Sequence, residues 1–281
     1  MSRKMKTQKL KCEEFASLHQ QEGAFIIPNP WDPGSARLLQ GFGFKALATT
    51  SSGLAYTFGR MDGEVTLEEK LNHCYQLAGN TTVPINADFE NGFADDPETI
   101  VKHVLRLIDT GIAGCSIEDF SRDTHRIYEF NHAVDRVQAV AEAVVTLDFP
   151  FQLTARAENF LHGITDLEDT IKRLKAYEAV GANVLYAPGI VSLEQLQQVT
   201  AEIKAPINVL APLIPGATVE ELADAGAKRI SIGGALNWAA VNPVLKAAKE
   251  MLDKGTFNWT SEMAPTEEVM SMWSTRIKSK K

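Results

Sequence analysis

The chain has 281 residues, 44% of them hydrophobic, enough to bury one large core. Its formal net charge of −8 argues against nucleic acid or an anionic membrane surface as partner. Three widely spaced cysteines, Cys12, Cys74 and Cys115, form neither a disulfide framework nor a zinc spacing. The basic start, Arg3 to Lys11, lacks the apolar segment of a signal peptide, and no apolar run is long enough to span a bilayer. A cytoplasmic, reducing setting is expected.

In chain order, Leu10 to Gln21 carries Phe15 and Leu18 at helical spacing and predicts a helix ahead of the main fold. Strands and helices then alternate eight times. Strand one is Ala24–Ile27, followed by a helix near Ser35–Gln40. Strand two, Ala46–Thr50, leads into a long loop, S-S-G-L-A-Y-T-F-G-R-M-D-G. Thr66 caps the next helix, with Glu69 completing a capping box. Strand three, within Val83–Ala87, ends in Asp88 and Glu90. Asp96-Pro97 starts a helix with proline at its first position.

Strand four, Cys115–Ile117, ends E-D-F and is followed by a polar loop from Phe120 to Asn131, expected to act as a lid. A helix follows over 133–147. Strand five, Phe151–Ala155, ends R-A-E-N; strands six, seven and eight are Asn183–Tyr186, Ile207–Leu210 and Arg229–Ile232. Gly41, Gly111, Gly181 and Gly226 stand where left-handed helix caps are expected. Eight such units favour a closed (β/α)8 TIM-like barrel, and no G-x-G-x-x-G follows the first strand to support a dinucleotide fold. The chain reads as a single domain with its core over 24–254. Beyond it lies a segment, 255–281, whose Trp259, Met263, Met270, Met272 and Trp273 are too apolar for a solvated tail.

In such a barrel the C-terminal strand ends carry the chemistry. Asp88 and Glu90 end strand three, Glu118 and Asp119 strand four, and Arg156 and Glu158 strand five; Asp62 lies in the loop after strand two. Residues two apart on a strand share a face, so Asp88 and Glu90 are expected to point the same way. Carboxylates converging on one mouth call for a hard divalent cation such as Mg²⁺. Ser51-Ser52-Gly53-Leu54 offers hydroxyls and backbone N–H groups for a carboxylate or phosphonate. Arg156 supplies a forked cation for a substrate carboxylate or an enolate. Of the histidines, only His125 and His132 are expected near the mouth.

The motifs S-S-G-L, M-D-G, A-D-F-E-N-G-F, S-I-E-D-F and T-A-R-A-E-N, in this order, resemble the isocitrate lyase / phosphoenolpyruvate mutase superfamily over roughly Phe25 to Leu252. The resemblance implies an α/β barrel acting on 2-oxo acids through a metal-bound, pyruvate-type enolate, with Mg²⁺ (or Mn²⁺) at its mouth. It implies Asp88 as direct metal ligand, and Asp62, Glu90 and Glu118 as the acids that hold metal-bound waters. Ser52, Gly53 and Leu54 would form the substrate carboxylate pocket and Arg156 would steady the enolate. It also implies a C-terminal helix exchanged between subunits of a homodimer or homotetramer, burying Trp259 and Trp273.

The loop after strand four lacks the K-[KR]-C-G-H of isocitrate lyases and the F-P-K-x-N of phosphonopyruvate enzymes, and Pro188-Gly189 replaces P-E-A after strand six. The leading expectation is therefore a Mg²⁺-dependent lyase of a small di- or tricarboxylate, or a decarboxylase of a 2-oxo dicarboxylate such as oxaloacetate. A standard isocitrate lyase is not expected. Arg122, Asp123 or His125 would supply the acid or base. The alternatives are phosphonomutase or carboxyphosphonoenolpyruvate-type chemistry, and a barrel that binds a 2-oxo acid without turning it over.

Overall fold

Short β-branched runs form the parallel strands and capped amphipathic segments the helices around them. The computed structural model describes residues 3–274. Its elements begin with α1 (Arg3–Gln20), β1 (Phe25–Ile27), α2 (Pro33–Phe42), β2 (Leu47–Ala48), α3 (Ser51–Thr57), α4 (Leu67–Asn80), β3 (Ile85–Asp88) and α5 (Pro97–Ile108). They continue with β4 (Gly114–Glu118), β5 (Phe120–Ser121), β6 (Arg126–Ile127), α6 (Phe130–Val145), β7 (Gln152–Arg156), α7 (Leu167–Ala179) and β8 (Val184–Tyr186). The last are α8 (Leu193–Glu202), β9 (Ile207–Leu210), α9 (Val219–Asp224), β10 (Ala227–Ser231), α10 (Ala235–Lys254) and α11 (Thr266–Ser274).

Eight strands pair in parallel in the order β1-β10-β9-β8-β7-β4-β3-β2. The seam between β1 and β2 is bridged by Ala48 N–H donating to Pro28 O at 3.1 Å and by Asn29 Nδ2 donating to Thr49 O at 3.0 Å. The fold is thus the expected α/β barrel, nearly closed. Sequence order and strand order agree except for the β5–β6 hairpin, which stands outside the barrel.

Local chemistry explains the element starts. Thr66 accepts from Glu69 N–H while Glu69 reaches back to Thr66 N–H, the predicted capping box, and Asp96 caps α5 ahead of Pro97. Gly111, Gly181 and Gly226 adopt positive φ after their helices as expected. Gly41 does not: α2 runs through it and stops at Gly43, φ 98°. Gly41 is instead a place of close approach, since a Cβ there would lie 2.6 Å from Met272 Cβ of α11.

The N-terminal helix closes the bottom of the barrel. Cys12 and Phe15 are fully buried and pack with Ile27, Ala46, Ala48 and Ala113. Gln8 Nε2 donates to Ile108 O and Ile112 O, and Lys11 Nζ to Ala78 O and Thr81 O at 2.9 and 2.7 Å. Lys11 thereby sets a cation where a helix ends, which the helix dipole favours. At the other terminus α11 lies along α2 of the same chain, with Trp273 Nε1 donating to Gly34 O at 3.2 Å. Residues 275–281 of the apolar C-terminal segment lie outside the described residues. No helix among the described residues is long and apolar enough to cross a membrane.

Candidate active site at the barrel mouth

The period-two alternation of each strand decides which side chains face inward. On β4 it sends Glu118 into the mouth and leaves Asp119 behind the sheet. There Asp119 accepts from Glu158 N–H at 2.8 Å, Arg173 Nη1 at 3.0 Å and Tyr177 Oη at 2.7 Å. Asp119 is therefore a structural acid that ties the loop after β7 to α7. On β7 the same alternation turns Arg156 inward, and this arginine is the centre of the site.

Arg156 Nη1 lies 2.6 Å from Asp88 Oδ1 and 3.4 Å from Glu118 Oε2; its Nε and Nη2 both bond Glu158 Oε1 at 2.7 Å. Three carboxylates therefore share one buried guanidinium. Burial pushes up the Glu118 carboxyl, well above its usual range, despite Arg156, and carries Glu158 to about 6. Burial acts on Asp88 too, but Arg156, Lys70 and the N–H and hydroxyl of Ser51 outweigh it and hold its pKa low. Burial likewise opposes the charge on Arg156, yet Glu158, Glu118 and Asp88 raise its pKa further.

Glu90 reaches the site by another route than the one expected. It is not on the strand: β3 ends at Asp88, and Glu90 sits in a left-handed turn, φ 50°, that lets Phe89 fill the core between them. A non-glycine residue at such a φ is uncommon, and Gly92 and Phe93 continue the same turn at φ 74° and 57°. Glu90 Oε2 pairs with Arg122 Nε at 3.2 Å, while Oε1 is buried with no partner. Burial raises its pKa to about 7.

Asp62 stands in an exposed turn, yet its carboxyl lines the mouth; burial, then Asp88, raises its pKa. Two adjoining cavities share Ser51, Asp62, Arg156 and Leu161; one reaches Asp88, the other Glu90 and Glu118. The four predicted acids are thus gathered at one end of the barrel.

The S-S-G-L segment is not a loop but the first turn of α3, capped by Thr50, whose Oγ1 accepts from Gly53 N–H at 3.3 Å. Leu54 N–H goes to Thr50 O, and its side chain packs with Ala55 and Val65. Gly53 is pressed against Thr50 and Trp31, where a Cβ would meet atoms at 2.6 and 3.0 Å. Ser51 and Ser52 face the cavity; Ser51 N–H donates to Asp88 Oδ2 at 2.9 Å. Gly234 approaches Ser52 so closely that a Cβ would lie 2.5 Å from its Oγ.

The segment after β4, predicted as a polar loop, folds as the β5–β6 hairpin. Its root is pinned: Tyr128 N–H donates to Asp119 O, Tyr128 Oη to Asp95 Oδ1 at 2.5 Å, and Arg122 to Gly63 O and to Val65 O. Arg122 is thereby engaged with the Asp62 turn and Glu90, while Asp123 and His125 stand exposed at the tip. His132 turns away from the mouth and bonds Asp95 O at 3.0 Å.

Sequence reasoning missed three residues here. His162 stacks on Phe120 with ring centroids 3.6 Å apart and holds Nε2 4.0 Å from Glu158 Oε2. The i,i+4 spacing from Glu158 was the available signal. Lys70 is fully buried with Nζ unpartnered, and its charge acts on Asp62, Asp88 and Glu90; a lysine on a helix gives no such signal. Tyr186 forms a wall beside Arg156, whose guanidinium lies 5.2 Å over its ring.

Among the described residues, no three His, Cys, Asp or Glu side chains close round one point at bare-ion distance. The donor set still fits a hard divalent ion held largely through water, because carboxylates outnumber cations here and Glu90 Oε1 lacks any partner. Mg²⁺ keeps several waters and is commonly bound through one or two carboxylates, which requires no tight three-acid cluster.

Comparison with known proteins follows the same outline. The family model for phosphoenolpyruvate phosphomutase matches residues 15–252. The chain belongs to this family. It is an enzyme, a lyase or mutase by class. A candidate lyase/mutase of Burkholderia cenocepacia J2315 is 44% identical, with a TM-score of 0.92 over 96% of this chain and 97% of that one. Oxaloacetate decarboxylase of Pseudomonas putida GB-1 is 24% identical over 262 residues, 90% of this chain and 88% of that one. A phosphonopyruvate hydrolase solved with oxalate and Mg²⁺ shares the fold, with a TM-score of 0.83 at 18% identity over 93% and 94% of the two chains.

Proposed function

We propose that this family member is a Mg²⁺-dependent carbon–carbon lyase of a small 2-oxo dicarboxylate of the oxaloacetate type. The observation that carries the reading is the arrangement about Arg156: one guanidinium among Asp88, Glu118 and Glu158, with a further buried carboxylate oxygen, on Glu90, left unpartnered. Asp88 would hold the ion directly, and Asp62, Glu90 and Glu118 would hold its waters; Mn²⁺ suits the same oxygen donors. When bound, the ion supplies a Lewis acid and a template for the oxygens of the oxo acid.

The chain's own residues do the remaining work. Ser51 and Ser52 offer hydroxyls to the substrate carboxylate at the start of α3, with Gly53 and Leu54 fixing the turn beneath them. As the carbon–carbon bond breaks, CO₂ departs and the bond's electron pair moves through the new carbon–carbon double bond toward the carbonyl oxygen, where Arg156 faces the developing charge. One proton taken up at carbon then gives pyruvate. Leu161 and Tyr186 line the cavity and reduce water access, which strengthens that interaction. His162, whose pKa burial lowers, holds Nε2 4.0 Å from Glu158 Oε2, where a proton can pass between them. The known activity of the Pseudomonas relative, oxaloacetate decarboxylation, is the same bond type.

The test is pyruvate release from oxaloacetate by purified protein with Mg²⁺, above the spontaneous rate. Asp88→Ala is expected to reduce turnover on the order of 10³-fold, the scale of losing a directed electrostatic contact. Equal rates for the two proteins, or no metal-dependent release with any small 2-oxo dicarboxylate, would sink the reading.

We further infer that copies of the chain associate in the cytoplasm as a homodimer or homotetramer through the C-terminal segment. The apolar side chains of α10 support this: Trp238 is 60% exposed, Val244 62% and Leu252 86%, with Phe257, Met263 and Met270 exposed beyond them. Exchange of α11 between subunits would cover them. Sedimentation at micromolar concentration should show an oligomer; a monomer there refutes the assembly.

A further inference from the structure

The mouth cavity, about 190 Å³, does not end at the acids. It continues into the barrel past Asn86, Ser116 and Asn208 to Arg229 on β10. Arg229 is 3% exposed. Its Nε donates to Asn208 Oδ1 at 2.7 Å and its Nη2 to Thr154 Oγ1 at 3.1 Å, both neutral acceptors. Its Nη1 is buried with no partner, and no carboxylate of the described residues pairs with it. The amide of Asn208 is fixed in turn, because its Nδ2 donates to Ser231 Oγ at 2.9 Å.

Removing a guanidinium from water without a counter-ion is costly. The equally buried Arg136 also lacks an ion pair among the described residues but donates to the carbonyls of Asn91, Ala94 and Asp95, whereas Arg229 keeps Nη1 unpartnered. The described residues place five acids at the mouth and give none to Arg229. The cavity is therefore divided by charge. Its upper end carries Asp62 and Asp88 beside Arg156, with Glu118 in the adjoining cavity, while its floor carries one uncompensated cation set among neutral amides and hydroxyls. Burial, with Arg156 adding repulsion, pushes the Arg229 pKa down to about 9, so the floor remains cationic at neutral pH.

We propose that Arg229 is a specificity-determining residue that receives the far carboxylate of the substrate, selecting 2-oxo dicarboxylates over 2-oxo monocarboxylates. This rests on the lyase reading of the mouth, where the oxo-acid end is held. Nη1 supplies the free donor, Asn208 and Thr154 hold the fork in place, and the anion removes the charge imbalance of the floor. The binding energy comes from pairing a cation already desolvated, so only the ligand pays a new dehydration cost.

The experiment is calorimetric titration of Mg²⁺-loaded protein with 3,3-difluorooxaloacetate, a four-carbon 2-oxo dicarboxylate, and with 2-oxobutyrate, which lacks the second carboxylate. Wild type should bind the dicarboxylate at least about tenfold more tightly, one decade being about 1.4 kcal/mol. Arg229→Gln should erase that preference and leave 2-oxobutyrate affinity within about twofold. Should Arg229→Gln fail to fold, Asn208→Asp gives the arginine an internal carboxylate at nearly constant shape and should erase the same preference. A preference that survives either folded variant, or equal loss of both ligands, overturns the assignment. Oxalate, which needs only the upper end, reads the parent proposal separately. If oxalate binds without regard to Mg²⁺ while the dicarboxylate preference still follows Arg229, the metal reading falls and the floor site stands.

Discussion

The two ends of this barrel are built on opposite terms. At the bottom, α1 inserts Cys12 and Phe15, and two polar side chains beside them are fully engaged within the chain, Gln8 Nε2 on two carbonyls and Lys11 Nζ on two more. At the mouth, three carboxylates compete for Arg156, Glu90 keeps one oxygen unpartnered, and a left-handed turn carries it there. One end is arranged for stability of the chain alone. The other is strained and charge-rich, as expected where stability is traded for binding.

The comparison is sharpest in mutants that remove one anchor from each end. Arg156→Met leaves buried carboxylates without their cation and should cost about 3–5 kcal/mol in denaturant unfolding. Phe15→Ala should cost a similar 3–5 kcal/mol through the cavity it leaves. Measured against wild type at the same saturating Mg²⁺, part of the first loss is expected to be recovered and none of the second. Equal recovery at both ends would abolish the distinction.

Metal binding itself comes next in size. At a Mg²⁺ concentration 100 times its Kd, wild type should gain about 2.7 kcal/mol of stability, and Asp88→Asn should lose most of that gain. A chelator-reversible rise in Tm checks it. Smaller again is Glu118→Gln in metal-free protein. It removes a desolvated acid whose pKa is already raised and should stabilise by about 0.5–2 kcal/mol, while activity falls. A loss of stability would show Glu118 to be structural after all.

The ends also differ in the sign of their pH response. Burial lowers the His19 pKa to about 3 from 6.5, with Arg229 adding to the effect. Its neutral ring favours the folded state above pH 6.5, and stability falls as the pH drops below that value, because the unfolded chain takes the proton first. Glu90 runs the other way: burial raises it to about 7 from 4.5, so its contribution is present below pH 4.5 and lost as the pH rises through 7. Each group changes the slope by at most about 1.4 kcal/mol per pH unit. In metal-free protein, His19→Gln should flatten the acid limb between pH 6.5 and 4, and Glu90→Gln should steepen it between pH 7 and 4.5. Matching changes in the two variants would contradict the opposite signs.

How legible was this in the sequence? The eight-unit alternation, the caps at Thr66 and Asp96 and the acids at the strand ends are local signals, and the barrel follows from them. Strand periodicity places Asp88, Glu118 and Arg156 at one end because neighbours in a parallel sheet run in register, as Asp88 with Ser116 and Glu118 with Arg156. The same periodicity misleads at Glu90, where a left-handed turn replaces the strand, and within S-S-G-L, where a threonine cap and apolar packing against Val65 turn a glycine-containing stretch into helix.

What the sequence alone determined is the order of elements and the chemical character of the strand ends, since both depend on patterns a few residues long. Only the tertiary structure decided how charge is shared: that Asp119 leaves the mouth for Arg173 and Tyr177, that Lys70 comes to lie behind the acids, and that Arg229 meets neutral partners only. Those outcomes depend on distances between residues far apart in the chain, and an electrostatic balance is fixed by distance and burial, which no local pattern contains.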